Sequence, residues 1–334
     1  MSAQSALPSW TAPDPFSSLI GLKACVDLGG TKVAVSLANR DGLHAKRTEP
    51  TVKEGANDAL ARQIIRMIGE SCLQAGFTPQ EIDFVAVSSC GPFVLKDGLV
   101  ELAAPNICGG LAGKARGLPN DWHSAQLEAP LRALFPNVRV ENDGIGALEA
   151  ERRWGALQNT GVPLANCAYV TWSTGIGTGL CVDGHVLRGK NGNAGHAGHM
   201  FVSSNADALC GCGNVGDLEA LVAGNAIPRR FAGLGWPDSA SLFIASQAGN
   251  TPAIAIIDDL CEVMGRALYN LIVTLDLERI SLGGSVFWYH REYLLPKLQA
   301  VVHGKLPALT DGCELVPAGL GDKVGDWGAL ALVA

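Results

Sequence analysis

The chain lacks an excess of positive charge, a long hydrophobic run and a cysteine-dense framework. It carries 25 Lys and Arg against 32 Asp and Glu, for a formal net charge of -7 at pH 7, so it offers no positive field for a polyanion such as nucleic acid. No window reaches the roughly 18 consecutive apolar residues that a membrane span needs. The ten cysteines are scattered apart from Cys210 and Cys212, which indicates reduced thiols rather than a disulfide scaffold. These absences predict a cytoplasmic protein that acts on a small molecule, with no nucleic-acid or membrane partner.

The sequence does contain enough apolar material for two hydrophobic cores. Its 334 residues are 48% hydrophobic and 17% charged, a globular composition long enough for two domains. Residues 1–19 include Pro8 and Pro13 and lack the basic and apolar regions of a secretory signal. They are predicted to form a flexible tail, and ordered structure is expected to begin at Ile20.

A glycine turn follows the first predicted strand. Residues 22–28 are an apolar run that ends in Asp27, and Gly29, Gly30, Thr31 and Lys32 come before a second strand at residues 33–38. The two glycines let backbone N–H groups approach an anion, and Thr31 and Lys32 add a hydroxyl and a cation. A carboxylate beside such a turn can hold water around Mg²⁺. The pattern favours a phosphate-binding hairpin, although an ordinary Gly-Gly hairpin with Asp27 as a turn residue also fits.

The same design recurs in the second half of the chain. An apolar run at residues 167–172 leads into Ser173, Thr174, Gly175 and Gly177, after which a strand resumes. Two strand–turn–strand units predict two halves of related topology, each offering a phosphate cradle at a shared cleft.

A third glycine motif lies near the C-terminus. Apolar residues at helical spacing over residues 253–277 precede a short strand that ends in Gly283-Gly284. This arrangement would place backbone against a flat ring such as adenine. A tight strand-to-helix turn without a ligand fits equally well.

A carboxylate is predicted at a sheet edge between the two phosphate turns. A short strand at residues 138–142 delivers Asn142 and Asp143 to its end, and a helical pattern follows. Such an aspartate can accept a hydroxyl proton while the oxygen attacks phosphorus. The alternative role for these two residues is to cap the helix, and capping and catalysis are compatible.

The segment from His199 to Glu219 contains the residue types of a zinc site. His199, Cys210 and Cys212 resemble metal ligands, and Asp217 occupies the place where a third thiolate would complete a sulfur-rich set. Without a metal, the cysteines would be small residues in a tight turn and Asp217 would cap a helix at residues 218–222. The segment is compatible with a metal site, a sugar site or both.

In their order along the chain, these motifs resemble those of the ROK family of sugar kinases. The resemblance runs from about Ile20 to the C-terminus. The segments that carry it are Asp27-x-Gly29-Gly30-Thr31-Lys32, Ala104-Pro105-Asn106, Glu141-Asn142-Asp143, Ser173-Thr174-Gly175-x-Gly177-x-Gly179, Gly195-x-x-Gly198-His199, Cys210-x-Cys212-Gly213-x-x-Gly216-x-x-Glu219 and Leu282-Gly283-Gly284. The resemblance implies an α/β, actin-like and hexokinase-like (ribonuclease H-like) fold, with two domains around a central ligand cleft.

The same resemblance implies roles for individual residues and partners. Asp143 would be the general base that removes a proton from a sugar hydroxyl, most often that on carbon 6. The sugar would contact Gly91, Asn106, Asn142, His196, His199 and Glu219. The phosphates of ATP and their Mg²⁺ would be held by Asp27, Gly29, Gly30, Thr31, Lys32, Ser173, Thr174, Gly175 and Gly177, the nucleoside by Gly283 and Gly284, and a structural zinc by His199, Cys210, Cys212 and Asp217. Family members are commonly homodimers or homotetramers.

Two positions depart from the family pattern. Position 196 is usually glutamate, whereas this chain has His196-Ala197-Gly198-His199, a variant found among bacterial N-acetylmannosamine kinases. Replacing an acceptor-only carboxylate with an imidazole changes which sugar groups are favoured. The second departure is Asp217 in place of the third cysteine of the zinc site.

The predicted function is therefore ATP-dependent transfer of the γ-phosphoryl group to a hexose hydroxyl, as in a glucokinase. The main alternative is an N-acetylmannosamine kinase or another N-acetylhexosamine kinase. Fructokinase and mannokinase activities are less favoured, and a non-catalytic sugar-binding ROK protein is a remote alternative. A ROK repressor would need roughly 60–80 residues of DNA-binding domain before the first phosphate turn, and Asp27 lies too near the start of the sequence for that.

The predicted division places a small α/β domain at residues 20–116, completed by residues 321–334, and a large α/β domain at residues 117–320. A helix at residues 59–75 and a strand at residues 84–88 are assigned to the small domain.

Overall fold

The structure is a computed structural model that describes residues 14–112, 117–204 and 208–333. Within these ranges, none of the individual helices combines the length and the hydropathy that a membrane span requires. By length and composition alone, one pair of helices bent by 114°, Ser239–Gln247 and Thr251–Leu275, could do so together.

Strands account for two large sheets and two small ones in the described residues. The strands are β1 (Leu22–Leu28), β2 (Lys32–Asn39), β3 (Gly42–Pro50), β4 (Ile82–Ser89), β5 (Phe93–Lys96), β6 (Leu99–Leu102), β7 (Ala125–Gln126), β8 (Val138–Asn142), β9 (Gln158–Asn159), β10 (Val162–Pro163), β11 (Cys167–Trp172), β12 (Ile176–Val182), β13 (His185–Val186), β14 (Arg279–Gly283) and β15 (Glu314–Pro317).

Helices cover the faces of the large sheets. The α-helices are α1 (Ala59–Ala75), α2 (Gly109–Ala112), α3 (Glu128–Arg132), α4 (Asp143–Trp154), α5 (Leu218–Val222), α6 (Ile227–Arg230), α7 (Ser239–Gln247), α8 (Thr251–Leu275), α9 (Ser285–Val302), α10 (Pro307–Thr310) and α11 (Val324–Ala331). Short 3-10 turns occupy Pro79–Glu81, Ala197–His199 and Gly321–Lys323.

The two large sheets repeat one topology. Their strand orders are β3-β2-β1-β4-β8 and β13-β12-β11-β14-β15. In each sheet the central strand pairs antiparallel with its hairpin partner and parallel with the strand on its other side. The predicted relation between the two halves is confirmed by this shared order, which follows from two similar runs of strand, glycine turn and strand.

The strand register of the first sheet aligns the ends of three parallel strands. Asp27 on β1 lies opposite Ser88 on β4, and Ser89 lies opposite Asn142 at the end of β8. Ligands of parallel α/β sheets bind outside the carboxyl ends of the strands. Asp27 and Asp143 are thereby brought to the same edge of the sheet.

The first sheet extends further along the chain than the predicted boundary at residue 117. Trp122, Leu131 and Val138 are buried in the same hydrophobic cluster as β1 and α1, and β8 pairs with β4. The boundary at residues 116 and 117 therefore cuts through a packed unit. Strand β8 is joined to β4 by non-local pairing, which local composition does not reveal.

Helices α4 and α11 lie against each other between the two sheets. Helix α11 packs on β1 and β4 of the first sheet, whereas α4 packs on β11 and β12 of the second. A Cβ atom on Gly146 would come within 3.2 Å of the Gly328 backbone, so a glycine is needed for this close approach. The C-terminal helix thus covers the first sheet, although it follows the second sheet in sequence.

One buried carboxylate ties α4 to the second sheet. Glu151 Oε2 accepts hydrogen bonds from Ala156 N at 2.8 Å, Gly319 N at 2.9 Å and Ser281 Oγ at 3.0 Å, and its Oε1 accepts from Leu320 N at 2.9 Å. Burial raises the pKa of Glu151, and these four hydrogen bonds oppose that rise. The helix that begins with Asp143 is anchored at its far end by this contact.

The predicted tail at residues 1–19 lies partly outside the described residues. Of its described part, Leu19 is buried and Phe16 is partly buried against a cluster that includes Trp154 and Leu320. Packed structure therefore begins before Ile20, because these apolar side chains cover the end of α4.

Candidate active site

The first glycine turn is closed by hydrogen bonds from two directions. Gly29 N donates to Lys32 O at 2.9 Å, and Thr51 Oγ1 donates to Gly29 O at 2.7 Å. A Cβ atom on Gly30 would collide with the side-chain amide of Asn106, so glycine at this position lets Asn106 lie over the turn. Thr51 belongs to no local motif, so its contact with the turn could not be predicted from the sequence.

Asp27 and Asp143 form a pair of carboxylates with raised pKa values at the sheet edge. Burial, offset in part by Lys32, raises the pKa of Asp27 to about 6. Asp143 stays open to solvent, yet protein atoms around it strip much of its hydration and, together with the charge of Asp27, raise its pKa to about 7. A carboxylate that titrates near neutrality is suited to accept a proton from a hydroxyl group.

Asn142 caps the helix that carries Asp143. Its Oδ1 accepts a hydrogen bond from Gly144 N at 3.0 Å, and Asp143 Oδ1 accepts from the same N–H at 2.8 Å. The capping interpretation is therefore confirmed for Asn142. Because Oδ1 is used in the cap, Nδ2 is left as a donor on the other side, 3.5 Å from Ser89 O.

Gly91 brings the first sheet into contact with the His196 segment. A Cβ atom on Gly91 would lie 2.8 Å from His196 Nε2 and 3.2 Å from Asn142 Nδ2. Three residues predicted to contact the sugar are thus adjacent. Any side chain at position 91 would push against the imidazole.

The turn between His196 and His199 lies flat on strand β12. A Cβ atom on Gly195 would collide with Thr178 O, and one on Gly198 would collide with Ile176 O. Gly195 also has a φ of 92°, which favours glycine. These glycines fix both histidines over the second glycine turn, with ring centroids 6.2 Å apart.

His199, Cys210, Cys212 and Asp217 converge in a compact cluster. One ligand atom from each lies within 4.8 Å of all the others. His199 Nδ1 is 3.1 Å from Asp217 Oδ2, Cys210 Sγ is 3.7 Å from His199 Nδ1, and Cys212 Sγ is 3.4 Å from Asp217 Oδ2. The predicted ligand set is therefore assembled in space.

Asp217 uses its two oxygens for different contacts. Oδ1 accepts a hydrogen bond from Ala220 N at 2.8 Å and caps α5, whereas Oδ2 faces His199 and Cys212. The predicted capping role is confirmed, and it leaves one oxygen directed at the cluster.

Glu219 connects this cluster to the second glycine turn. Its Oε2 accepts a hydrogen bond from Ile176 N at 2.9 Å, and a Cβ atom on Gly175 would lie 2.7 Å from the same oxygen. Its Oε1 lies 3.9 Å from Cys210 Sγ. The Glu219 carboxylate is therefore held between the turn and the cysteines.

The second and third glycine motifs meet at the end of β11. Ser173 Oγ lies 3.0 Å from Ser285 Oγ. A Cβ atom on Gly284 would lie 2.5 Å from Trp172 O, and one on Gly283 would collide with the Tyr169 ring. Packing against β11 thus accounts for both glycines without a ligand, and their nucleoside role stays a prediction.

An ionic link joins the two halves of the chain near Asp143. Glu141 Oε1 accepts from Arg188 Nε at 2.7 Å and from Arg139 Nη2 at 3.0 Å. Arg188 could not be predicted from the sequence, because its partner Glu141 lies 47 residues away.

Three features are those of the hexokinase-like class of two-domain α/β folds. They are the two sheets of repeated topology, the helices α4 and α11 between them, and the sheet edge that carries Asp27 and Asp143. The crystal structure of a ROK hexokinase from Thermus thermophilus is similar, with a TM-score of 0.71 and 29% identity, covering 93% of this chain and 97% of that chain. The predicted fold class is confirmed by this similarity.

The chain belongs to the ROK family, whose model matches residues 23–334. A glucokinase of Aeropyrum pernix is 28% identical over 328 residues, covering 92% of this chain and 95% of the relative. An N-acetylmannosamine kinase of Yersinia pestis is 31% identical over 270 residues, covering 80% of this chain and 84% of the relative. The homologues are thus sugar kinases, and the predicted family is confirmed.

Proposed function

We propose that this protein is an ATP-dependent sugar kinase that transfers the γ-phosphoryl group to a hexose hydroxyl, the one on carbon 6. The observation that carries the proposal is Asp143, an accessible carboxylate with a pKa raised to about 7 beside the first glycine turn. Its unprotonated form would accept the hydroxyl proton as the sugar oxygen attacks phosphorus.

The surroundings of Asp143 support positioning as the main source of rate acceleration. Asn106 lies over the first turn and Asn142 holds the start of α4, so the sugar and the phosphates would be oriented by groups that are already fixed. Asp27 fits a cation, since its carboxylate is poorly hydrated and lies near the charge of Asp326. Mg²⁺ held there would neutralise phosphate charge.

A 2-acetamido sugar is the second candidate substrate, because His196 replaces the usual glutamate. An imidazole acceptor is neutral and has one lone pair, whereas a carboxylate is charged and has two oxygens. The relatives named glucokinase and N-acetylmannosamine kinase support both candidates.

An ADP-release assay over a panel of hexoses and N-acetylhexosamines tests the proposal. We expect turnover of at least one sugar and a product phosphorylated on carbon 6 by ³¹P NMR. His196→Glu should shift the ratio of kcat/KM values towards glucose if glucose and an acetamido sugar are both accepted. Absence of turnover across the whole panel would refute the kinase proposal.

We further propose that His199, Cys210, Cys212 and Asp217 hold a structural zinc ion. Tetrahedral zinc with ordinary Zn–S, Zn–N and Zn–O lengths requires ligand separations of about 3.3–3.8 Å. The separations of 3.1, 3.4 and 3.7 Å lie close to this range. Zinc there would brace the loop that carries His199 and Glu219, with no part in phosphoryl transfer.

Two substitutions separate the ligand role of Asp217 from its capping role. Asp217→Asn keeps an oxygen for the cap but puts an amide nitrogen in place of the ligand oxygen, so zinc content should fall well below one per chain. Asp217→Cys supplies a thiolate but loses the cap, so zinc should be retained while stability falls by about 1 kcal/mol. Metal analysis after mild dialysis and thermal unfolding measure the two effects.

The control for this pair is Cys313→Ser, which changes a buried cysteine outside the cluster and should leave zinc content unchanged. Wild-type protein with far less than one zinc per chain would contradict the site. Full zinc content in Asp217→Asn would contradict Asp217 as a ligand.

A further inference from the structure

The side chain of Asn193 pairs with the backbone of Phe93 as if it were a neighbouring strand. Phe93 N donates to Asn193 Oδ1 at 2.7 Å, and Asn193 Nδ2 donates to Phe93 O at 2.7 Å. A backbone N–H only donates and a carbonyl only accepts, so this pairing fixes the orientation of the carboxamide. We call this pair of hydrogen bonds the Asn193 latch.

The latch joins the first strand of the small sheet β5-β6-β7 to a loop that follows β13 of the second large sheet. Phe93 begins β5, two residues after Gly91, whereas Asn193 lies between β13 and the turn Ala197–His199. A Cβ atom on Gly192 would lie 3.4 Å from the Phe93 ring, so the loop backbone also packs closely on this residue. The latch therefore holds the His196 segment against the Gly91 segment.

The backbone carbonyl of Asn193 also selects the tautomer of His196. His196 Nδ1 lies 3.0 Å from Asn193 O, and a carbonyl oxygen has no proton to give, so Nδ1 must be the protonated nitrogen. Burial lowers the pKa of His196, which favours the neutral ring. Nε2 is then an acceptor, and it is the atom beside Gly91 and Asn142 Nδ2.

We propose that Asn193 is a positioning residue for sugar binding that holds His196 with Nε2 presented as a hydrogen-bond acceptor. The sugar atom opposite His196 must then carry a hydrogen, as a hydroxyl or an acetamido N–H does. Asn142 Nδ2 supplies the adjacent donor, so the protein presents an acceptor and a donor side by side to the sugar. This inference rests on the proposed sugar kinase function.

Asn193→Ala removes both latch hydrogen bonds and is the first test. We expect KM for the preferred sugar to rise about tenfold while kcat and KM for ATP change less than about threefold, because sugar positioning is lost and the base is untouched. Asn191→Ala in the same loop is the matched control, since its side chain makes neither latch contact. Asn193→Asp keeps the contact with Phe93 N and should give an intermediate KM.

The tautomer gives a readout that a purely structural role would not move. In long-range ¹H–¹⁵N spectra, the His196 imidazole is assigned as the one whose signals are absent from the His196→Ala variant. Its signals in the wild-type protein should show a protonated Nδ1 and an unprotonated Nε2. Asn193→Ala should weaken this preference. In a double-mutant cycle, adding Asn193→Ala to His196→Ala should raise KM little further, because both changes disrupt one contact.

Wild-type tautomer and wild-type KM in a folded Asn193→Ala variant would overturn the inference, as would additive effects in the cycle. If Asn193→Ala does not fold, the same two measurements on Asn193→Asp decide the question. If the wild type phosphorylates no sugar, the kinase proposal fails, whereas the spectra still report whether Asn193 controls the His196 tautomer.

Discussion

Asp143→Asn is expected to lower kcat by about 10³-fold, because the side chain keeps its shape but can no longer accept the hydroxyl proton. Affinities for the sugar and for ATP, measured by calorimetry, should change less than about threefold. In the wild-type protein, kcat/KM for the sugar should rise with pH through about 7, since the base acts unprotonated and its pKa is raised to about 7 by lost hydration and by Asp27.

The same substitution is expected to stabilise the protein at high pH. The folded state binds a proton up to about pH 7, whereas an unfolded aspartate releases it near the ordinary pKa of 3.8, so wild-type stability falls as pH rises between these values. Asparagine has no such dependence. The Tm difference in favour of Asp143→Asn should therefore grow up to about pH 7 and stay constant above it.

Asp311→Asn is the control for both effects, because it alters an exposed aspartate outside the site. A near-native rate in Asp143→Asn would refute its role as the base. A Tm difference that shrinks with rising pH would contradict the raised pKa.

Glu151→Ala is expected to cost about 4 kcal/mol of folding free energy, because it leaves four donors, three of them buried, without their acceptor. Those donors are Ala156 N, Gly319 N, Leu320 N and Ser281 Oγ. Thermal and urea unfolding measure the loss. Activity of the folded fraction should also fall, since α4 carries Asp143 and loses its anchor on the second sheet.

Glu149→Ala is the matched control on the same helix. Its ion pairs with Arg152 and Arg188 are long, at 3.7 and 3.9 Å, and such pairs contribute about 1 kcal/mol or less. Equal losses of folding free energy in the two variants would show that Glu151 contributes only its charge on α4 and not its four hydrogen bonds. Glu151→Gln should be intermediate, because its amide nitrogen would face at least one N–H donor.

Local patterns predicted many individual elements well. The runs at residues 22–28 and 167–172 form β1 and β11, and the helical patterns at residues 59–75 and 218–222 form α1 and α5. These elements depend on side-chain periodicity and on turn residues within a few positions of each other. The residues of the histidine–cysteine–aspartate cluster were also predictable, since His199, Cys210, Cys212 and Asp217 lie within one short segment.

Contacts across long sequence separations were not predictable in this way. Residues 122–142 pack with the first sheet beyond the predicted boundary at residue 117, and Glu151 accepts hydrogen bonds from donors up to 169 residues away. Neither Thr51 nor Asn193 belongs to a motif. Their roles depend on which backbone groups the fold places opposite them.

By itself, the sequence determined the two glycine-turn hairpins, the types of residue at the site and the family to which the chain belongs. Backbone freedom at glycine and alternation along a strand act over a few residues, so they can be seen in the sequence. Only the tertiary structure decided that Asp27 and Asp143 share one sheet edge, where the pKa of each is raised, and that Asn193 faces Phe93, 100 residues away. Hydration, pKa and tautomer depend on neighbours in space, and chain folding alone selects those neighbours.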